Sequence, residues 1–193
     1  MDYSLHINEI TGNEKKMLYY IHGYQSTPDG DKGTLFMKKL NAKAIKYRDC
    51  KPENLIIADC LKRIADVIKN DVNVVLIGSS LGGFLAASTA LHHSNVNKLI
   101  LLNPAIIPPS TNLDDHQSVP KNILEDMIDV KLFENRLDAD ITILRGTKDD
   151  VVPDSWIVEF AAAQEATVKF LHDDHRFSHN LTQLPTIISD ILK

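Results

Sequence analysis

Val72-Asn73-Val74-Val75-Leu76-Ile77-Gly78-Ser79-Ser80-Leu81-Gly82-Gly83 is an aliphatic, β-branched run that ends in a turn of small residues. Val72–Ile77 is apolar except at Asn73, as a strand covered on both faces of a parallel sheet should be. Leu81–His92 then reads as a helix rich in Gly82, Gly83, Ala86, Ala87 and Ala90, small residues that let a helix lie close to a sheet. The turn between them, Gly78-Ser79-Ser80-Leu81-Gly82, fits the pattern Gly-x-Ser-x-Gly. That pattern arises by chance in roughly one chain in twenty at average residue usage, so its setting must decide. A strand-to-helix turn forces the serine into strained backbone geometry, and glycines on either side relieve the crowding. The Ser80 hydroxyl then projects from the carboxyl edge of the sheet, and the N–H groups of the helix start are free to hold an oxyanion. The simpler use of Ser79 and Ser80 is helix N-capping. A phosphate-binding loop fits poorly, because Gly78–Gly83 is neither G-x-G-x-x-G nor followed by a Walker lysine.

Working outward, apolar runs alternate with helical patterns. Met17–Ile21 reads as a buried strand turning at His22-Gly23, Gly33–Leu40 as a short helix and Ala44–Tyr47 as a second strand. Glu53–Asn70 reads as a helix with Ile57, Leu61, Ile64, Ala65 and Ile68 on one face and Pro52 and Glu53 in its first turn. Lys98–Leu102, Ile141–Leu144 and Thr167–Leu171 read as strands, Ser155–Ala163 and Leu181–Leu192 as helices. The alternation predicts a single α/β domain over 1–193: a three-layer α/β/α sandwich around a mostly parallel, roughly six-stranded sheet. Pro104–Asp140 breaks the rhythm and reads as a lid-like insertion, with a helix from near Pro120 and Ser118 as its N-cap.

Composition excludes several classes. The chain has 193 residues, 44% hydrophobic and 24% charged, which is globular usage. A net charge of −5 predicts no nucleic-acid partner. The local cluster Lys38, Lys39, Lys43, Lys46, Arg48 and Lys51 reads as a solvated face, or else as a patch that steers an anionic substrate. Two cysteines, Cys50 and Cys60, suggest neither a disulfide framework nor a metal site. Residues 1–16 lack a signal-peptide pattern and no apolar stretch is long enough to span a bilayer, so a soluble cytoplasmic protein is expected.

A serine hydroxyl needs a base, and the base needs an orienting acid. In chain order the acid should follow a late strand and the histidine the last one. Leu144-Arg145-Gly146-Thr147-Lys148-Asp149-Asp150 offers Asp149, with Asp150 as its competitor; either aspartate also suits a turn or helix cap. His172-Asp173-Asp174-His175-Arg176-Phe177-Ser178-His179 offers three histidines. His175 sits mid-loop and is favoured; His172 lies at the strand end and His179 at the start of the final helix. The same cluster offers metal ligands, but no second cluster has matching spacing. His22-Gly23-Tyr24-Gln25 follows the first strand, where the N–H of Tyr24 can pair with that of Leu81 as oxyanion donors.

Together these pieces resemble the α/β-hydrolase superfamily over nearly the whole chain. His22–Pro28, Gly78–Gly83, Asn103-Pro104-Ala105 and Gly146–Asp149 are similar to the compact YqiA-like bacterial esterases. The resemblance implies hydrolysis of small acyl esters or thioesters through an acyl-enzyme. In it Ser80 attacks, His175 is the base, Asp149 orients it, and Tyr24 and Leu81 donate N–H groups, with no metal or organic cofactor. Ile106, Ile107, Leu124 and Met127 are expected to line an acyl pocket. The alternatives are a binding protein or receptor of the same fold, or amide or C–C bond hydrolysis on the same residues.

Overall fold

A computed structural model describes residues 16–115 and 119–193. Six parallel strands form one sheet: β1 (Met17–Ile21), β2 (Lys43–Ala44), β3 (Val74–Ser79), β4 (Val96–Leu102), β5 (Asp140–Gly146) and β6 (Thr167–Leu171), in spatial order β2-β1-β3-β4-β5-β6. The chain moves from β1 outward to β2 and then returns past β1 to β3. With right-handed crossovers, that reversal requires helices on opposite faces of the sheet. Accordingly α1 (Asp31–Leu40) and α7 (Leu184–Ile191) pack together on one face. Helices α2 (Ile57–Ile68), α3 (Leu81–His92), α5 (Lys131–Glu134) and α6 (Asp154–Gln164) cover the other. The short α4 (Lys121–Asp126) joins that second face through Ile123 and Leu124. This is the three-layer α/β/α sandwich of a minimal α/β-hydrolase fold, as the alternation predicts.

The strands divide their side chains by parity. Tyr19, Ile21, Val74, Leu76, Leu99, Leu101, Ile141 and Ile143 point into one core, and Tyr20, Val75, Ile77, Ile100, Leu102 and Leu144 into the other. Helix α3 is buried from Leu81 to Thr89 because it crosses over β3, β4 and β1. Its glycines serve this close approach: a Cβ on Gly82 would stand 2.1 Å from the Ile21 carbonyl oxygen, and one on Gly83 2.6 Å from the Pro104 Cβ.

Several expected elements shift. The helix expected from Glu53 begins at Ile57, and Pro52–Asn54 form a separate 3₁₀ turn. The cause is Leu55, which is buried with extended backbone between the two and so cannot continue either helix. Strand β2 pairs at only two residues; one further bond, from the Ile45 N–H to the Tyr20 carbonyl (2.8 Å), follows before the chain leaves the edge to bury Tyr47. The final helix opens with a 3₁₀ turn over Leu181–Gln183, and Pro185, which has no N–H to donate, lies in the first turn of α7. Pro120 is the residue before α4, while the expected cap Ser118 lies outside the described residues, as does most of the N-terminal segment. Among the described residues no helix is long and apolar enough to cross a membrane.

Candidate active site

In an open parallel sheet the crevice forms at the carboxyl edge where the strand order reverses, here between β1 and β3. A cavity of about 640 Å³ opens there, lined among others by Gly23, Tyr24, Ser79, Ser80, Asp150 and His175. Ser80 stands between β3 and α3 at φ 54° and ψ −120°, in a backbone region that L residues rarely adopt. Its N–H donates to the Leu102 carbonyl (3.0 Å), and its carbonyl accepts the N–H groups of Gly83 (2.8 Å) and Ala105 (3.0 Å). The strained turn is thereby fixed to the end of β4 from both sides. The N–H groups of Leu81 and Gly82 belong to the first turn of α3 and have no helical acceptor.

The loop after β1 lies directly against this turn. A Cβ built on Gly23 would approach the Ser80 Cβ to 3.3 Å. Arg48 tethers the loop by donating to the Ser26 carbonyl (2.8 Å), and the Tyr47 hydroxyl donates to the carbonyls of His22 (3.2 Å) and Gly23 (3.3 Å). Tyr24 therefore turns at the cavity wall. His22 is buried and stacks on Tyr47 at 4.3 Å; burial pulls its pKa down to about 4, with the nearby Arg48 charge pulling the same way. It thus serves as a neutral packing residue.

Of the competing acids and histidines, the structure joins Asp149 to His175. Asp149 has a fully buried side chain, and the Nδ1 of His175 lies 2.9 Å from its Oδ2. Its Oδ1 accepts the N–H groups of Val151 (2.8 Å) and Val152 (3.1 Å). Burial pushes the Asp149 carboxyl up, but the His175 hydrogen bond and charge and these N–H donors outweigh it and hold the pKa below the usual value. Asp150 is exposed at the cavity rim, His172 sits beside Thr147 at 3.4 Å, and His179 is largely exposed beside Asp173.

Asp173, Asp174 and His179 bring potential metal-ligand atoms within 4.8 Å of one another. The carboxylates are committed to the loop. Asp173 accepts from the N–H groups of Asp174, His179 and Asn180 and from the Asn180 amide, and these bonds lower its pKa to about 2 despite the opposing effect of burial. Asp174 accepts the N–H groups of Arg176 (2.9 Å) and Ser178 (3.0 Å). The cluster is a clamp that shapes the His175 loop.

Two residues at the heart of the site carry roles that motif reading misses. Asn103, fully buried at φ 44° just after β4, accepts the Gly146 N–H (2.8 Å) and donates to the carbonyls of Asp174 (3.2 Å) and His175 (3.1 Å). One side chain so ties the acid turn to the histidine loop. Arg145 is buried and reaches the carboxylates of Asp149 and Asp154 and the carbonyl of Val152 (2.8 Å). The signal for both was available: each is a polar residue at the end of an apolar strand. The expected acyl-pocket residues Ile106, Ile107, Leu124 and Met127 are buried instead in the core on the face that α2, α3, α5 and α6 cover. From their stretch only Val119 reaches the cavity among the described residues.

A family model described as an uncharacterised protein family, UPF0227, matches residues 17–191. No curated protein matches the chain by sequence. Among solved structures it is similar to Est1E from Butyrivibrio proteoclasticus with ferulic acid bound: 17% identity, TM-score 0.72, covering 95% of this chain and 90% of that one. It is also similar to the N-formylmaleamic acid deformylase of Pseudomonas putida S16 (14%, TM-score 0.68, 91% and 92%). Alpha/beta hydrolase domain-containing protein 10 from mouse is a third (16%, TM-score 0.65, 95% and 91%). At these identities the likeness speaks for the fold.

Proposed function

This chain belongs to the uncharacterised protein family UPF0227, and we propose that it is a serine hydrolase cleaving carboxylic esters or thioesters through an acyl-enzyme on Ser80. The observation that carries the reading is the opening of one cavity onto both Ser80, in its strained strand-to-helix turn, and His175, backed by buried Asp149. The α/β-hydrolase fold supports it at a coarser level, and the resemblance to YqiA-like esterases is the finer form of the same reading.

In this mechanism the Nδ1–H of His175 donates to Asp149, which leaves Nε2 to take the proton as the Ser80 oxygen attacks the carbonyl carbon. The tetrahedral oxyanion is held by the N–H groups of Leu81 and Tyr24. Collapse breaks the bond to the alcohol or thiol, which leaves with the proton from His175. Water, deprotonated by His175, then releases the acid and restores Ser80. Asp149 stays ionised throughout, as its lowered pKa favours.

Labelling with a fluorophosphonate probe tests this. Wild type should label and Ser80→Ala should not; nitrophenyl ester turnover should fall by about 10³-fold or more in Ser80→Ala and His175→Ala. Equal labelling of wild type and Ser80→Ala would falsify the assignment.

A further inference from the structure

Two buried hydroxyls meet at the wall of the Ser80 cavity, and the chemistry of Ser80 uses neither. Strands β1 and β3 run parallel with Tyr20 level with Ile77, so Tyr20 and Ser79 project from the same face of the sheet, the one that α1 and α7 cover. The Tyr20 ring packs edge-on against Phe36, with 5.1 Å between centroids, and its hydroxyl hydrogen-bonds with that of Ser79. Tyr20 is 2% exposed and Ser79 6%, yet both line the cavity. Burial pushes the pKa of the Tyr20 phenol up, and the Ser79 bond pulls the other way without overcoming it, so the phenol keeps its proton across the neutral range.

Packing does not ask for either oxygen. A phenylalanine would make the same edge contact with Phe36, and a buried hydroxyl lowers stability unless its hydrogen bonds are made. Two hydroxyls hold two protons and four lone pairs between them, and their mutual bond uses one of each. The capacity left over borders the cavity, one residue before the nucleophile. The rest of the wall does not favour a charged ligand: Asp31, Asp150 and Asp174 stand against Lys32 and Arg176, close to balance, and Asp174 and Asp31 already act on Lys32. Nor is it built for a long aliphatic chain, since Ile106, Ile107, Leu124 and Met127 are buried in the core.

We propose that the Tyr20 and Ser79 hydroxyls form a subsite for a neutral hydroxyl group on the substrate, so that the preferred ester or thioester carries such a hydroxyl near the scissile bond. The inference rests on the reading of Ser80 as nucleophile. The hydroxyl can lie on either side of the bond that breaks, and matched substrates separate the two. Phenyl 3-hydroxybutyrate against phenyl 3-methylbutyrate puts it on the acyl side, and 2,3-dihydroxypropyl butyrate against 2-methylbutyl butyrate on the leaving-group side. Each pair exchanges hydroxyl for methyl at nearly constant size.

Wild type should favour the hydroxylated member of one pair by about fivefold or more in kcat/KM, as for a neutral hydrogen bond made in the bound state. Tyr20→Phe should bring that ratio toward one, and so should Ser79→Ala, which leaves the ring packing intact. A merely structural role would slow both members of a pair together and leave their ratio alone. A wild-type ratio near one in both pairs, an unchanged ratio in either variant, or a larger preference for phenyl hemiadipate over phenyl hexanoate would overturn the subsite. Calorimetric titration of Ser80→Ala with the same esters gives the ratio as Kd values, free of turnover. Failure of the subsite therefore appears as lost discrimination, and failure of the nucleophile assignment as hydrolysis that survives in Ser80→Ala.

Discussion

Arg145 and His175 share one oxygen atom, the Oδ2 of Asp149. The carboxylate is fully buried, and its other oxygen is taken by two N–H groups, so its geometry leaves little freedom. Arg145 also spans Asp154 and the Val152 carbonyl, which makes it the strut of the acid turn. Removing one partner of a buried pair leaves the other charge unanswered. Arg145→Met should therefore destabilise the fold by about 3 kcal/mol in urea unfolding. Ester turnover should fall in kcat with KM little changed, and Arg145→Lys should recover part of both. An unaltered urea midpoint for Arg145→Met would remove the strut.

Asn103 offers a cleaner separation of position from stability. Replacing it by Asp preserves the acceptor for the Gly146 N–H but turns the donor to the Asp174 and His175 carbonyls into a repelling oxygen. The acid turn keeps its bond while the histidine loop loses its own. A misplacement of about 1 Å in a catalytic group costs on the order of 100-fold. Asn103→Asp should lower kcat by about 10- to 100-fold with KM nearly constant. A loss carried by KM alone would assign Asn103 to substrate binding instead.

The sheet and the serine turn were legible because their signals are local. Met17–Ile21, Leu81–His92 and Thr167–Leu171 have the bounds that their apolar patterns predict. The break at Leu55 was hidden, because Pro52 and Glu53 suit the first turn of a helix and only the tertiary fit of one side chain interrupts it. That Asp149 rather than Asp150 meets His175, and not His172 or His179, is a matter of loop geometry. That geometry is set by Asn103, which is distant in sequence from both loops. The close approach read from Gly82 and Gly83 holds: none of the described glycines has positive φ, and the positive-φ positions fall to Asn41, Asn73, Ser80, Asn103, Glu165 and Phe177. The glycines are there for contact distance.

That distinction is testable at two glycines. A Cβ on Gly82 would collide with the carbonyl oxygens of Ile21 (2.1 Å) and His22 (2.6 Å), both backbone atoms at the end of β1. Gly82→Ala should cost about 3 kcal/mol or more and show as poor recovery of folded protein. A Cβ on Gly23 meets only tight contacts near 3.3 Å, but one of them is the Ser80 Cβ. Gly23→Ala should stay folded, with a Tm within about 4 °C of wild type, and lose more than about tenfold in kcat, since it crowds the serine and the adjacent donor N–H. Equal Tm losses in the two variants would contradict this division.

The buried His22 gives the fold a pH dependence separate from catalysis. Its pKa is pulled down to about 4, chiefly by burial, from an ordinary value of 6.5. Between these two values the unfolded chain binds a proton that the folded chain refuses. Stability from this residue is therefore full above pH 6.5 and declines as the pH falls through that window toward 4, by about 3 kcal/mol in all. His22→Phe keeps the stacking surface against Tyr47 and removes the titration. Urea unfolding at pH 7 and at pH 4.5 should show wild type losing about 2 to 3 kcal/mol more than His22→Phe across that interval. Parallel losses in the two proteins would mean that His22 is protonated in the folded state and that the acid sensitivity arises elsewhere. The Asp173 clamp acts in a lower window. Its stabilisation is present above the ordinary carboxylate value of 3.8 and fades only as pH drops toward about 2. An acid titration stopped at pH 4.5 therefore reads His22 without the loop around His175 coming apart.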